Sequence, residues 1–190
     1  MNLPNKLTLL RIILVPFFVA TLLLPTIPYH YIIALVIFAA ASITDMLDGK
    51  IARKYNMVTD FGKFADPLAD KILVISAFAC FVEMGIVSSV FVIIVLFREF
   101  SVTSIRLIAA ENGKVVAANM WGKAKTVSQM IAIIVVLLYG VVTDITQLSD
   151  NIVYISTIVQ QVILWISALL TVISGVIYIK DNFGFIKNAK

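Results

Sequence analysis

Residues 45–70 read DMLDGKIARKYNMVTDFGKFADPLAD, and four of the aspartates in this stretch form two close pairs. Asp45 and Asp48 are three residues apart, and Asp66 and Asp70 are four residues apart. Because an α-helix turns by about 100° per residue, the members of each pair share one helix face. We therefore predict two helix ends that each present two carboxylates.

Long apolar runs flank this acidic stretch on both sides. Of the 190 residues, 61% are hydrophobic and only 14% are charged, whereas an average soluble domain has about 25% charged residues. A helix that crosses the hydrocarbon core needs about 20 mostly apolar residues, so the chain has room for six spans. We predict one domain over residues 1–190, an all-α integral membrane protein with six transmembrane helices and an N-terminal interfacial segment.

The apolar runs give approximate positions for the six spans. The second and third runs are short, and we expect their helices to continue through the polar turns that carry the aspartates. The segments before residue 9 and after residue 179 are amphiphilic, which is typical of the membrane interface. The predicted spans are 9–24, 31–44, 72–84, 86–108, 127–142 and 152–179.

The distribution of basic residues predicts the orientation in the membrane. If the N-terminus is cytoplasmic, the connections at 25–30, 85–89 and 143–151 lie outside, and they contain no Lys or Arg. This arrangement follows the positive-inside rule and predicts a cell-membrane protein in which the aspartate stretch faces the cytoplasm. The basic residues form no dense block, so we expect phosphorylated substrates and lipid headgroups as partners, and no nucleic acid.

The clustered carboxylates indicate a cation site. Close carboxylates repel one another, and burying them beside a bilayer is costly unless positive charge compensates. Hard divalent cations, Mg²⁺ or Mn²⁺, explain four convergent oxygen ligands most simply. The alternative is structural: Asp66 only caps a helix that starts at Pro67, while Asp45 and Asp48 are solvated at the membrane surface.

The fixed positions in this stretch resemble the signature of the CDP-alcohol phosphatidyltransferase family. The resemblance implies a six-helix membrane fold, a homodimer, a CDP-linked lipid donor and two divalent cations. It also implies that Asp45, Asp48 and Asp66 are metal ligands, and that Asp70 is the general base and a further candidate metal ligand. The matching positions are Asp45, Asp48, Gly49, Ala52, Arg53, Gly62, Asp66 and Asp70.

The same resemblance implies a CDP-binding site along this stretch. Small residues would let a flat ligand approach the backbone, although a close helix crossing uses them equally well. A basic residue there could offset phosphate charge or simply anchor the topology. The implied CDP-binding residues are Asp48, Gly49, Ala52, Arg53 and Gly62.

Basic residues in the second half of the chain predict a site for an acceptor phosphate. Arg98 and Glu99 lie deep in the fourth apolar run, where ionisable groups normally face a polar cavity. Arg106 is about 80° around the same helix from Arg98. With Lys123 and Lys125 at the start of the fifth span, these residues could bind a phosphorylated acceptor. Alternatively, Arg98 pairs with a carboxylate for structure and the others anchor the topology.

Residues 2–11, 98–99, 106 and 122–126 also resemble family members that use glycerol 3-phosphate. We therefore expect a phosphatidyl group to pass from CDP-diacylglycerol to glycerol 3-phosphate. Three alternatives stay open: another acceptor (inositol phosphate, serine or phosphatidylglycerol), a divalent-cation transport path, and a noncatalytic scaffold. A transport path predicts carboxylates spread across the bilayer, whereas these aspartates cluster on one side.

Overall fold

The described part of the chain is a bundle of six α-helices. The computed structural model describes residues 2–54, 59–111 and 119–184, and the side chains of residues 46–54 are among those that its description leaves out. Within these ranges there is no strand, and the prediction of an all-α, six-helix protein is confirmed. The helices are α1 (Leu3–Leu23), α2 (His30–Lys54), α3 (Asp60–Glu83), α4 (Ser89–Glu111), α5 (Met120–Ile145) and α6 (Asp150–Asp181).

Helices α2 and α3 continue past their apolar runs, as predicted. Helix α2 runs on through Asp45, and α3 begins well before its apolar run. The N-cap of α3 is Thr59, whose side-chain oxygen accepts a hydrogen bond from the backbone N–H of Gly62 at 3.0 Å. Asp66 is therefore an interior helical residue, and the alternative in which it caps a helix starting at Pro67 is wrong.

Helix α1 includes most of the N-terminal segment that was predicted to be interfacial. The side chain of Asn2 caps the helix by accepting a hydrogen bond from the backbone N–H of Asn5 at 3.1 Å. Asn5, Thr8 and Arg11 are all buried, and their three-residue spacing places them along one side of the helix. Because α1 packs against α2 and α3, this polar stripe lies inside the bundle.

The outer surface of the bundle is apolar, as a protein embedded in lipid requires. Within the described ranges, α1, α5 and α6 are long and apolar enough to cross a membrane, and α2 carries a shorter apolar segment, His30–Asp45. Large side chains such as Phe97 and Tyr154 are about 70% exposed. Exposed apolar surface of this extent is foreign to soluble monomers.

The apolar core fills the end of the bundle remote from the aspartate pairs. The rings of Phe18 of α1 and Phe38 of α2 pack there at a tilt of 44°, and the rings of Phe78 and Phe91 meet edge to face with centroids 4.7 Å apart. Edge-to-face pairs add to the free energy of area burial. This packing also keeps α1 to α5 together at the other end of the bundle, where their polar residues lie.

Candidate active site

Arg11 brings the aspartates of α2 and α3 together. Its Nη1 atom lies 2.7 Å from Asp45 Oδ1 and 2.7 Å from Asp70 Oδ1. The two carboxylate oxygens are therefore no farther apart than twice that distance. The Arg11 side chain is 0% exposed, whereas the two carboxylates are about half exposed. Carboxylates of α2 and α3 thus gather around one buried guanidinium, although Asp45 and Asp70 lie inside these helices and not at their ends as predicted.

Helix α1 also contacts the start of α3 through uncharged polar groups. The Thr8 hydroxyl donates a hydrogen bond of 2.6 Å to Asp66 Oδ1, and the Thr59 hydroxyl donates one of 2.9 Å to Asn5 Oδ1. A Cβ at Gly62 would lie 3.2 Å from Asn5 Oδ1, tighter than ordinary van der Waals contact. Glycine at this position therefore admits the close approach of α1 to α3.

The donor set suits a hard cation, although a complete metal site is not seen in the described residues. Asp45, Asp66 and Asp70 offer carboxylate oxygens, the ligands that Mg²⁺ and Mn²⁺ prefer. Among the side chains that the structure describes, no three acidic, His or Cys groups lie close enough to hold an ion. The side chain of Asp48, the fourth predicted ligand, is not among them, and neither are those of Ala52 and Arg53 or the surroundings of Gly49.

A cavity of about 690 Å³ lies between α3, α4 and α5. Asp66 and Asp70 of α3 contribute to one wall. All four residues predicted to bind the acceptor phosphate line the cavity as well. The basic side chains around it are Lys71, Arg98, Arg106, Lys123 and Lys125. The predicted base and the predicted phosphate-binding groups therefore open onto the same space.

Glu99 organises the basic wall. Its Oε1 atom accepts a hydrogen bond of 2.5 Å from Lys125 Nζ and one of 3.0 Å from Arg98 Nη1. Arg98 Nη2 donates to Ser174 Oγ at 2.7 Å, which ties α4 to α6. The structural pairing considered for Arg98 is thus present, and Arg98 nevertheless lines the cavity. Its Nε–H is buried and has no hydrogen-bond partner among the described residues.

Two further basic groups are anchored beside this wall. Arg106 Nε donates to the Tyr178 hydroxyl at 3.2 Å, and the guanidinium carbon lies 5.5 Å from the centroid of the same ring. Lys71 Nζ donates to Thr103 Oγ1 at 2.6 Å. Both contacts limit how far these flexible side chains range, which reduces the entropy lost when they bind an anion.

Sequence reasoning missed the part played by Asn5, Thr8 and Arg11. In the sequence these residues stand out only as part of the resemblance over residues 2–11. Their signal is the recurrence of a polar residue at every third position of α1, which predicts a buried polar stripe. Which aspartates this stripe would contact depends on helix packing that spacing alone does not give.

The fold and the cavity define a membrane-embedded protein that presents carboxylates and basic groups to one internal space. The chain belongs to the CDP-alcohol phosphatidyltransferase family, since the model of that family matches residues 1–173. The resemblance seen in residues 45–70 is confirmed over nearly the whole chain.

Relatives within the family align over most or all of their length. A protein of Bacillus subtilis (strain 168) named CDP-diacylglycerol–glycerol-3-phosphate 3-phosphatidyltransferase is 40% identical, with 99% of this chain and 98% of the relative covered. A protein of the same name from Rickettsia bellii (strain RML369-C) is 38% identical, with 94% of each covered. One from Haemophilus influenzae is 40% identical over 70% of this chain and 73% of its own length.

Proposed function

We propose that this protein transfers the phosphatidyl group of CDP-diacylglycerol to glycerol 3-phosphate and releases CMP. The observation that carries the proposal is the single cavity shared by Asp66 and Asp70 on one wall and by Arg98, Arg106 and Lys125 on the others. Transfer to a phosphorylated alcohol needs a base and an anion site within reach of one another. The names of relatives that match along nearly the full chain support this acceptor.

The aspartates would hold the donor's pyrophosphate through cations. Asp45, Asp48, Asp66 and Asp70 would hold two divalent cations, Mg²⁺ or Mn²⁺, and such cations would supply positive charge to the pyrophosphate and to departing CMP. The Thr8 hydroxyl, which contacts Asp66, and the Arg11 guanidinium, which contacts Asp45 and Asp70, would hold these carboxylates in place. The CDP moiety would lie along α2 and the start of α3, at Gly49, Ala52, Arg53 and Gly62.

Asp70 is the proposed general base. The primary hydroxyl of glycerol 3-phosphate gives its proton to the Asp70 carboxylate while its oxygen forms a bond to the phosphorus that bears the diacylglycerol. The bond between that phosphorus and the bridging oxygen of CMP breaks, and CMP leaves with the electron pair. Asp70 is half exposed and lines the cavity, so a hydroxyl in the cavity can reach it.

The basic wall would bind the phosphate of the acceptor. Arg98 and Arg106 offer planar guanidinium groups suited to paired hydrogen bonds with phosphate oxygens, and Lys123 and Lys125 add positive charge. Glu99 neutralises part of this charge and holds Arg98 and Lys125 in place. The buried Nε–H of Arg98 gains an acceptor if the phosphate reaches it.

The same proposal includes the location, the orientation and the oligomeric state of the protein. The protein would lie in the plasma membrane of a bacterium as a homodimer, with the cavity facing the cytoplasm. The apolar outer surface would let the donor's acyl chains stay in the lipid while its headgroup enters the cavity.

An acceptor panel tests the proposal. Purified protein in detergent receives CDP-diacylglycerol, Mn²⁺ or Mg²⁺ and one alcohol at a time: glycerol 3-phosphate, inositol phosphate, serine or phosphatidylglycerol. We expect CMP release with glycerol 3-phosphate and little with the others, and none in the presence of a chelator. Release that prefers another alcohol would contradict the acceptor, and release that persists in chelator would contradict the cation site.

A further inference from the structure

Arg11 is a fully buried cation in the first helix. Its guanidinium group therefore brings a positive charge into the interior of the bundle. A buried charge is tolerated only when it is paired and hydrogen-bonded. Arg11 meets this condition through Asp45 and Asp70, with Nη1 at 2.7 Å from an oxygen of each.

The arginine also offsets the repulsion between the two carboxylates. Their Oδ1 atoms converge on one nitrogen, and like charges at such a separation repel one another. Asp45 belongs to α2 and Asp70 to α3, so this repulsion acts between two helices. The positive charge of Arg11, on α1, therefore offsets this repulsion and holds these parts of α2 and α3 together.

We propose that Arg11 is a built-in counter-ion that keeps the carboxylates of α2 and α3 gathered when no divalent cation is bound. The carboxylates of Asp45 and Asp70 then already lie close together before a cation arrives. Arg11 is a positioning residue in this role, because it acts on the reaction through Asp45 and Asp70. The part of the inference that concerns cations rests on the proposed function, whereas the part that concerns charge pairing does not.

A purely structural arginine and a counter-ion predict different responses to cations. If Arg11 only fills space, its loss lowers the melting temperature by the same amount with and without a divalent cation. If Arg11 supplies positive charge, a bound cation can replace that charge. The loss is then large in chelator and small with cation, because the variant that lacks Arg11 gains more stability from the bound cation than the unsubstituted protein does.

The first experiment measures the melting temperature of the full-length protein in detergent, in excess chelator and in millimolar Mn²⁺. In chelator, we expect Arg11→Gln to melt at least about 5 °C below the unsubstituted protein. In Mn²⁺ this gap should fall to less than half. Arg11→Lys, which keeps the charge, should recover part of the loss in chelator. Lys6→Gln, at an exposed position of the same helix, is the matched loss of one positive charge and should leave both values unchanged.

A second experiment needs no metal. In chelator, Asp45→Asn alone should lower the melting temperature, because Arg11 loses a partner. In the Arg11→Gln background the same change should raise it, because a repelling carboxylate is removed. If Arg11→Gln cannot be isolated alone, isolation of the double variant supports the inference, and failure of both overturns it.

The outcomes separate the inference from the proposed function. Equal losses for Arg11→Gln in chelator and in Mn²⁺, although Mn²⁺ stabilises the unsubstituted protein, would overturn the inference. No sign reversal for Asp45→Asn would also overturn it. If Mn²⁺ stabilises neither protein but the sign reversal is found, the counter-ion stands and the proposed cation site fails.

Discussion

Lys125 Nζ lies 2.5 Å from Glu99 Oε1, so a nearly buried ion pair ties α5 to α4 in the wall of the cavity. The same carboxylate oxygen accepts a hydrogen bond from Arg98. Two of the four groups proposed to bind the acceptor phosphate are thus oriented by one residue. The wall therefore combines a structural ion network with the proposed phosphate-binding surface.

Replacement of Glu99 should destabilise the protein and make it more responsive to an anion. Glu99→Gln leaves Lys125 and Arg98 without a full negative partner, and losing one member of a buried ion pair costs about 3–5 kcal/mol. We expect a lower melting temperature in detergent, and a larger rise on addition of glycerol 3-phosphate than in the unsubstituted protein. Glu83→Gln, at an exposed position near the end of α3, is the matched control. An equal response to glycerol 3-phosphate in both proteins would contradict a phosphate site at this wall.

Replacement of Asp70 should slow the chemical step. Asp70→Asn removes the proposed base, and turnover should fall by about 10² or more, the scale of general acid–base catalysis. Mn²⁺ and donor binding should be largely retained because three aspartates are left. Steady-state kinetics and equilibrium binding of Mn²⁺ measure the two effects, with Asp150→Asn at the exposed start of α6 as control. Near-normal turnover would show that Asp70 is not the general base.

Replacement of the cavity arginines should weaken binding of the acceptor. Arg98→Ala and Arg106→Ala each lose charge-assisted hydrogen bonds worth about 1.5–3 kcal/mol, so KM for glycerol 3-phosphate should rise about tenfold or more. The KM for CDP-diacylglycerol should change little. Arg106→Lys keeps the positive charge but lacks the planar guanidinium group. Its KM for glycerol 3-phosphate should therefore lie between those of the unsubstituted protein and of Arg106→Ala. Unchanged acceptor saturation in both alanine variants would rule out the phosphate-binding role.

The crossing of α2 and α5 should not tolerate a larger residue at Gly140. A Cβ at this position would overlap the ring of Tyr31. Gly140→Ala must displace that ring, and overpacking of this kind costs about 1–3 kcal/mol. We expect a lower melting temperature in detergent, whereas Gly184→Ala, where a Cβ meets open space, should have little effect. Equal melting temperatures would show that the helix crossing is looser than the structure has it.

The sequence predicted those parts of the structure that depend on neighbours along the chain. The spacing of Asp45, Asp48, Asp66 and Asp70 placed the carboxylates on helix faces, and the apolar runs located all six helices to within a few turns. The start of α3 could not be predicted from the apolar pattern, because it depends on Thr59, which caps the helix. The roles of these aspartates stay predictions.

Contacts between helices were beyond the reach of spacing. Arg11 contacts Asp45 and Asp70, which are far from it along the chain, and Glu99 of α4 contacts Lys125 of α5. A polar residue in an apolar helix indicates that a partner exists, because an unpaired buried charge is too costly. It does not indicate which helix supplies the partner.

Formation of the lipid product tests the central claim most directly. The purified protein is given CDP-diacylglycerol, Mn²⁺ and ¹³C-labelled glycerol 3-phosphate, and mass spectrometry follows labelled phosphatidylglycerophosphate alongside CMP. We predict one labelled lipid for each CMP released, with both lost on chelation. Release of CMP without labelled lipid, or no release at all, would contradict transfer in the shared cavity.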